Sequence, residues 1–186
     1  RGYHEIKEHG KREFPFNIYP CSIPVDFSHV ALHWHEEMEI IAVKKGKGRI
    51  TVDTVSYPVE EGDILAVFPG QLHAISCGNG ERMEYENIIF RLSMLMGDNG
   101  DGCTVHFLKP LQEGQAKNPV LIQRNQPDHE VFGKVIQELD RFSEIRGNGY
   151  QLAVKGQLFL FLYYAYGRGI LFAEKKPGHA REKIKG

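Results

Sequence analysis

The feature that most constrains the fold is a close succession of short β-prone runs in the first half of the chain. Between positions 14 and 92, runs of β-branched and aromatic residues alternate with breaks that contain glycine, proline or aspartate. The predicted strands are Phe16–Tyr19, Val30–Trp34, Met38–Lys44, Arg49–Val52, Val55–Val59, Ile64–Phe68, His73–Ser76 and Tyr85–Leu92. Many short strands at this spacing indicate an all-β sandwich or barrel.

The period of the apolar residues changes after Pro127. A helical stripe is formed by Val131, Val135, Leu139 and Phe142. This stripe predicts a helix that begins after Asp128 as N-cap and stops near Gly147. A second helix is predicted over Tyr150–Tyr166, where apolar residues occupy more than half of the circumference. Such a helix must be covered on more than one side, and Leu158 and Leu162 are predicted to face outward. Positions 97 to 127 between strands and helices are predicted to be irregular.

Composition sets outer limits on function. The chain has 186 residues and a formal net charge of -1, which gives it no excess of positive charge for binding nucleic acid. The three cysteines are far apart, so a reducing cytoplasm is the predicted location. The first 14 residues are polar and predict no signal peptide. The longest apolar run is too short to span a bilayer, so no membrane partner is expected.

Three histidines and one glutamate form the candidate site. His33 and His35 are two apart, so on an extended strand they would point to the same face. Glu39 follows on the next strand, and His73 comes after the breaks near positions 62 and 70. Converging imidazoles and a carboxylate suit Zn, Ni, Fe or Mn. The same four side chains could instead line a polar effector pocket without a metal, through hydrogen bonds from imidazole to a small molecule.

Other residues in this region receive structural interpretations. Trp34 alternates with the two histidines, so its side chain is predicted to face away from the barrel interior and to pack under the helices. Glu36 and Glu37 are predicted to be solvated turn charges, and Ile40–Val43 to be a strand covered on both faces. The remaining histidines, which are His4, His9, His29, His106, His129 and His179, are predicted to be structural or solvent-facing.

The spacing of these residues resembles the two cupin motifs. The first is matched by His33, His35, Glu39 and Gly46, and the second by Gly62, Gly70 and His73. The departures are Phe27, Phe68 and Cys77, which stand where the motifs have glycine, proline and often asparagine. A finer resemblance is to the sensor domains of AraC-type transcription regulators, through the phrase that runs from His33 to Ile41, the phrase Pro69–His73 and the second helix.

The resemblance implies a mainly β fold, a cupin-type double-stranded β-helix (a jelly-roll barrel) followed by a C-terminal pair of α-helices. It implies an effector-binding barrel over residues 1–126, which includes an N-terminal arm. A helical dimerisation segment follows over 127–173, and a linker over 174–186. The expected partners are a small-molecule effector, with a carbohydrate as one candidate, and a second copy of the chain. DNA would be bound only through a helix-turn-helix domain absent from this chain.

Two function hypotheses remain at this stage. The first is a regulatory domain without catalytic activity, in which His33, His35, Glu39 and His73 contact the effector directly or through a metal. The alternative is a metal-dependent cupin enzyme of the dioxygenase or sugar isomerase type, for which the same residues would serve as metal ligands. The helices after the barrel favour the first hypothesis, because they fit the dimerising element of a sensor.

Overall fold

A computed structural model describes residues 3–173, and the predicted linker with His179 lies outside this range. Eight strands are present: β1 (Phe16–Ile23), β2 (Val30–His33), β3 (Met38–Val52), β4 (Val55–Glu60), β5 (Ile64–Val67), β6 (His73–Ser76), β7 (Met83–Phe90) and β8 (Val120–Ile122). The helices are α1 (Lys109–Gln112), α2 (His129–Ile145) and α3 (Tyr150–Gly167). None of the described helices is long and apolar enough to cross a membrane.

The strands form two antiparallel sheets that share β3. In the first sheet the order is β1-β7-β3-β5-β8, and in the second sheet β6 lies between β2 and β3, with β4 on the other side of β3. The amino-terminal half of β3 pairs with β5 and β7, and its carboxyl-terminal half pairs with β4 and β6. The expected fold, a cupin-type barrel followed by helices, is confirmed.

The continuity of β3 corrects the sequence-based prediction of two strands separated by a break at Gly46–Gly48. The strand contains an irregularity between Val43 and Lys45, and Gly46 has φ of 74°. A Cβ at Gly46 would lie 1.9 Å from the carbonyl oxygen of Arg82. The glycine therefore allows one strand to bend and pass from one sheet to the other, and does not end it.

Successive residues of β3 enter two separate hydrophobic cores. Ile41 and Val43 pack between the sheets, in a core that includes Ile50, Leu65 and Tyr85. On the opposite face, the side chains of positions 40 and 42 join a second core beneath α2 and α3. The apolar run is thus covered on both faces, as its sequence predicts. This alternation directs Glu39, which has the same parity as Ile41 and Val43, into the space between the sheets.

The two long helices lie where the apolar periodicity predicts them. Phe132 of α2 contacts Phe161 of α3 edge to face, with ring centroids 5.2 Å apart, and both side chains are fully buried. Leu158 and Leu162 are buried in the same core, so their predicted outward orientation is wrong. The reason is that the helix presents different positions to solvent, namely Leu152, Phe159, Leu160 and Tyr163.

The ends of the helices are held by an unpredicted ion pair. Arg168 donates to both carboxylate oxygens of Asp128, at 2.8 and 2.7 Å, and also to the carbonyl of Leu121. Asp128 does precede α2, but its carboxylate binds this guanidinium in place of the predicted capping contact. The helix ends at Arg146 in the left-handed conformation, one residue before the predicted stop at Gly147.

The segment 97–127 is more ordered than its composition predicts. A π-helical turn over Thr104–Leu108 continues into α1, and β8 adds to the edge of the first sheet beside β5. Val120 and Ile122 are buried there. A strand of three residues is too short to show a period in the sequence, and its stability comes from pairing with β5.

Candidate metal centre

The four predicted site residues come together between the two sheets. His33 on β2 is the register partner of His73 on β6, while Glu39 lies on β3 and His35 in the connection before it. One potential ligand atom from each of these side chains lies within 4.8 Å of all the others. His35, Glu39 and His73 are almost fully buried, and His33 is half-buried. The structure thus assembles residues that are up to forty positions apart.

Each imidazole is oriented by the backbone. The Nδ1 atoms of His33, His35 and His73 lie 2.8, 3.1 and 2.9 Å from the carbonyl oxygens of Ala31, Glu37 and Gln71. A carbonyl oxygen only accepts hydrogen bonds, so each Nδ1 must carry the proton and donate. In a neutral imidazole this leaves the Nε2 atom with a free lone pair. Metal-binding histidines characteristically show this pattern, because the bond at one nitrogen fixes the other as the ligand.

The contacts of Glu39 show why a cation fits the centre. Its Oε2 atom lies 2.9 Å from Nε2 of His35 and 3.0 Å from Nε2 of His73. The carboxylate also only accepts, so without a cation both imidazoles would have to be doubly protonated to satisfy both of their nitrogens. A divalent cation among these atoms would interact favourably with both the imidazole lone pairs and the carboxylate. The donor set therefore fits a transition metal by its chemistry.

The electrostatics of the site favour a charged carboxylate. Burial opposes ionisation of Glu39, but the imidazoles of His73 and His35 outweigh it and hold the pKa of this carboxyl well below its usual range. Burial likewise disfavours the imidazolium of His35, yet the hydrogen bond and charge of Glu39, with Glu37, raise the pKa of His35 above its ordinary value. Burial and the neighbouring His73 lower the pKa of His33.

The prediction that Glu37 is a solvated turn charge is wrong, because this residue is buried. Only 4% of it is exposed, whereas its neighbour Glu36 is exposed as predicted. Its Oε1 atom accepts a hydrogen bond of 2.9 Å from Nε of Arg91, and its Oε2 atom lies 3.7 Å from Nδ1 of His35. Sequence reasoning missed this role because a Glu-Glu pair before a strand is typical of an exposed turn.

The N-terminal arm reaches the site, which the sequence did not reveal. His4 stacks on Trp34 with ring centroids 4.1 Å apart, so Trp34 is covered by the arm and not by the helices as predicted. Backbone hydrogen bonds link Tyr3 and Glu5 to the same tryptophan. The carboxylate of Glu5 lies 3.6 Å from Nε2 of His33. The alternation that turns Trp34 away from the barrel interior was predicted correctly, but the element that covers it lies too far away in sequence to be inferred.

Fold and site together define a cupin-type domain with a histidine and carboxylate centre between its sheets, followed by a helix pair. The sequence model of the AraC-like ligand binding domain matches residues 24–162, and the chain belongs to this family. It is 29% identical over 82 residues to an uncharacterised helix-turn-helix transcriptional regulator, YdeC, of Bacillus subtilis (strain 168). That match covers 44% of this chain and 28% of the length of that protein.

Solved cupin structures overlap with part of the chain. A cupin protein from Bacteroides fragilis is 25% identical, with 45% of this chain and 69% of that chain covered and a TM-score of 0.34. A Cupin 2 conserved barrel protein from Salinispora arenicola is 21% identical, with 48% and 74% covered and a TM-score of 0.39. A predicted oxalate decarboxylase from Thermotoga maritima is 25% identical, with 40% and 64% covered and a TM-score of 0.37.

Proposed function

We propose that this domain senses a small molecule for a transcription regulator, and that its effector binds at a divalent metal held by His33, His35, Glu39 and His73. The observation that carries the proposal is the convergence of these four side chains, with each imidazole fixed by a carbonyl at Nδ1. Membership of a ligand-binding family supports the sensing role. Zn, Ni, Fe and Mn are the candidate metals, and when bound such an ion supplies a Lewis-acidic coordination position.

The regulatory role does not need a chemical reaction. An effector that binds one arrangement of barrel, arm and helices more tightly than another shifts their populations. DNA would be contacted by a separate domain of the regulator, a proposal supported by the name of the Bacillus subtilis relative. A cytoplasmic location is part of this proposal. A carbohydrate or an organic acid is the proposed effector class, because hydroxyl and carboxylate oxygens suit both imidazole donors and a divalent metal.

We also propose that the domain forms a homodimer through α3. An apolar stripe on this helix consists of Leu152, Gly156, Phe159, Leu160 and Tyr163, which recur at helical spacing. Leu152 and Tyr163 are 78% and 72% exposed, and a Cβ at Gly156 would meet nothing within 4 Å. A two-fold axis near Gly156 would place the stripe against its own copy, with two backbones able to approach closely at the glycine. The exposed apolar residues support this interface.

The metal is tested by elemental analysis and by substitution. After purification in medium supplemented with the four candidate metals, the chain should contain close to one transition metal ion per molecule. His35→Ala should lose it, because this substitution removes one ligand and the contact that orients Glu39. His29→Ala is the matched control, since His29 is exposed and outside the centre. Metal-free protein from the supplemented culture would contradict the proposed metal binding. The four residues would then be interpreted as an effector pocket without a metal.

The sensing role is tested with the metal-loaded chain. Sugars and small organic acids are screened for a rise in Tm, which follows from binding to the folded state alone. A ligand that raises Tm in the unsubstituted chain and in His29→Ala, but not in His73→Ala, supports binding at the centre. A ligand with an equal effect on all three proteins binds elsewhere and contradicts the proposal.

A further inference from the structure

A small cavity lies beneath the arm, outside the metal centre. Its volume is about 140 Å³, and it lies between the arm and the segment that follows β7. The residues that line it are Glu8, His9, Gly10, Lys11, Arg12, Pro15, Arg91 and Ser93. We call this cavity the arm pocket. Most of its lining residues are exposed, so the arm pocket is open to solvent, and its volume suits a small ligand.

The charged groups around the arm pocket are mostly cations. Lys11, Arg12 and Arg91 line it, against the carboxylate of Glu8 among the lining residues and the carboxylate of Glu37, which pairs with Arg91. A guanidinium has five N–H donors, and the side chain of Arg91 uses its Nε to bind Glu37. Ammonium and guanidinium groups donate but do not accept hydrogen bonds. The lining therefore suits a ligand with several acceptor oxygens and negative charge.

His9 provides an independent reason to expect a ligand. Only 6% of this residue is exposed, and its Nδ1 atom lies 3.0 Å from the hydroxyl of Tyr19. Its Nε2 atom is buried and has no hydrogen-bond partner among residues 3–173. Buried polar nitrogens are nearly always paired, because leaving one unpaired costs free energy. When Tyr19 donates to Nδ1, the proton of the neutral ring is on Nε2 and can be donated to an anion.

The backbone around the arm pocket is held in place. Gly10 has φ of 79°, and a Cβ there would lie 2.5 Å from the carbonyl oxygen of Phe16. The backbone groups of Lys11 and Phe14 exchange two hydrogen bonds, at 3.2 and 2.9 Å. This close contact with the start of β1 fixes the backbone that carries Lys11 and Arg12, whose side chains are exposed. The backbone that surrounds the pocket is thus part of the folded arm.

We propose that the arm pocket binds a small oxyanion, a phosphate or a short carboxylate, between His9, Lys11, Arg12 and Arg91. This site is separate from the proposed effector site and does not depend on it. Because the pocket is lined by the arm on one side and the barrel on the other, a bound anion stabilises the docked arm by mass action. Trp34, the only tryptophan in the sequence, stacks on His4 of the arm and reports on that docking by its fluorescence.

The proposal is tested by titrating the chain, in chloride buffer, with inorganic phosphate and separately with acetate. Calorimetry and Trp34 fluorescence should report saturable binding with the same midpoint. Lys11→Gln and Arg12→Gln should each weaken binding about tenfold, because each removes one charge-assisted contact. Lys45→Gln makes the same charge change at an exposed position on β3 and should leave binding unchanged. Stronger binding of phosphate or of acetate identifies which oxyanion the pocket prefers.

Removal of the metal separates this site from the barrel centre. After treatment with a chelator, the anion should still bind, with a smaller loss of affinity than in Lys11→Gln, since no residue of the arm pocket belongs to the four-residue centre, although the rings of His9 and His35 lie 6.4 Å apart. Binding that disappears with the metal would place the anion on the metal and overturn the proposal. Equal weakening in Lys11→Gln and Lys45→Gln would also overturn it, because it would show a general charge effect. His9→Phe, checked for its unfolding temperature, should likewise weaken binding, and unchanged affinity in a folded His9→Phe would contradict the role of Nε2.

Discussion

Glu37 lies just outside the candidate metal centre and is placed to act on one of its residues, His35. Its backbone carbonyl accepts the Nδ1 proton of His35, and its buried carboxylate lies 3.7 Å from the same nitrogen. Arg91 pairs with that carboxylate from a position that is half exposed. The negative charge therefore stabilises positive charge on His35, whether it arises from a proton or from a coordinated cation.

Glu37→Gln should weaken metal binding about tenfold to a hundredfold, because partners behind a ligand of this kind have effects of that size. The amide keeps the shape of the side chain and its contact with Arg91, so the fold should persist. Glu36→Gln is the matched control at the exposed neighbouring position and should bind metal as the unsubstituted chain does. Metal affinity is measured by competition with a chelator of known affinity. Equal affinities in the two variants would show that the charge of Glu37 does not act on His35.

The convergence of the four candidate residues could be predicted because strand alternation and motif spacing are visible in the sequence itself. Glu37 and His9 could not be assigned in the same way. The burial of Glu37 depends on Arg91, 54 positions away, and that of His9 on the arm packing beside Tyr19. A buried charge that is satisfied only by a distant partner gives no local pattern.

Between elements, the contact that joins the barrel to the helix pair contains an unusual charge cluster. Lys44 of β3 lies 2.9 Å from Glu86 of β7 and 3.2 Å from Asp140 of α2. Burial, followed by the nearby carboxylate of Glu86, raises the pKa of Asp140 to about 6, although Lys44 acts in the opposite direction. Lys44 is thus paired with two carboxylates where the sheet and α2 meet.

Asp140→Asn should make the chain more stable above pH 6. Since the pKa of Asp140 is raised on folding, the folded state binds more protons between about pH 4 and 6, and stability falls as pH rises through this range. The neutral amide removes this loss, so we expect a gain of about 1 to 2 kcal/mol at pH 7 that vanishes toward pH 4. Denaturant unfolding from pH 4 to 8 measures it, and Glu144→Gln, an exposed change on α2, is the control. A gain independent of pH would contradict the assigned cause.

The elements themselves could be predicted to different degrees. α2 shows a clear 3.6-residue period and α3 a long apolar run, and the bounds of both helices differ from the prediction by a residue or two. The division of β3 into two strands was wrong because Gly46, which normally signals a break, here permits a bend between two sheets. β8 could not be predicted, since three residues are too few to show a strand period. The strand is stabilised by its pairing with β5.

At the scale of the whole molecule, α3 has two apolar faces, of which one is buried and the other is exposed. One face, with Val154, Leu158 and Phe161, is buried against α2 and the first sheet. The other is the exposed stripe around Gly156. The sequence predicts that such a helix needs cover on more than one side, but it does not show which residues face solvent. That distinction depends on the angle at which the helix packs, so Leu158 and Leu162 were assigned to the wrong face.

Leu160→Glu should convert a dimer into a monomer while the barrel stays folded. The substitution introduces a charge into the centre of the proposed interface, where burial without a partner is costly. Val55→Glu makes the same kind of change at a half-exposed position on β4, remote from α3, and should remain dimeric. Light scattering at micromolar concentration determines the mass. A mass of about 21.2 kDa for the unsubstituted chain, with or without effector, would exclude the dimer.

The shared strand β3 also limits how this domain can evolve. Its residues alternate strictly between the space between the sheets and the helix core from Met38 to Val43, so inserting or deleting one residue there would exchange the two faces. Glu39 would then point toward the helices, and the neighbouring Met38 or Ile40 would take its place among the histidines. Related sequences should therefore vary in this segment by substitution and keep its length constant, while changes in length accumulate in the loops and at the bend near Gly46.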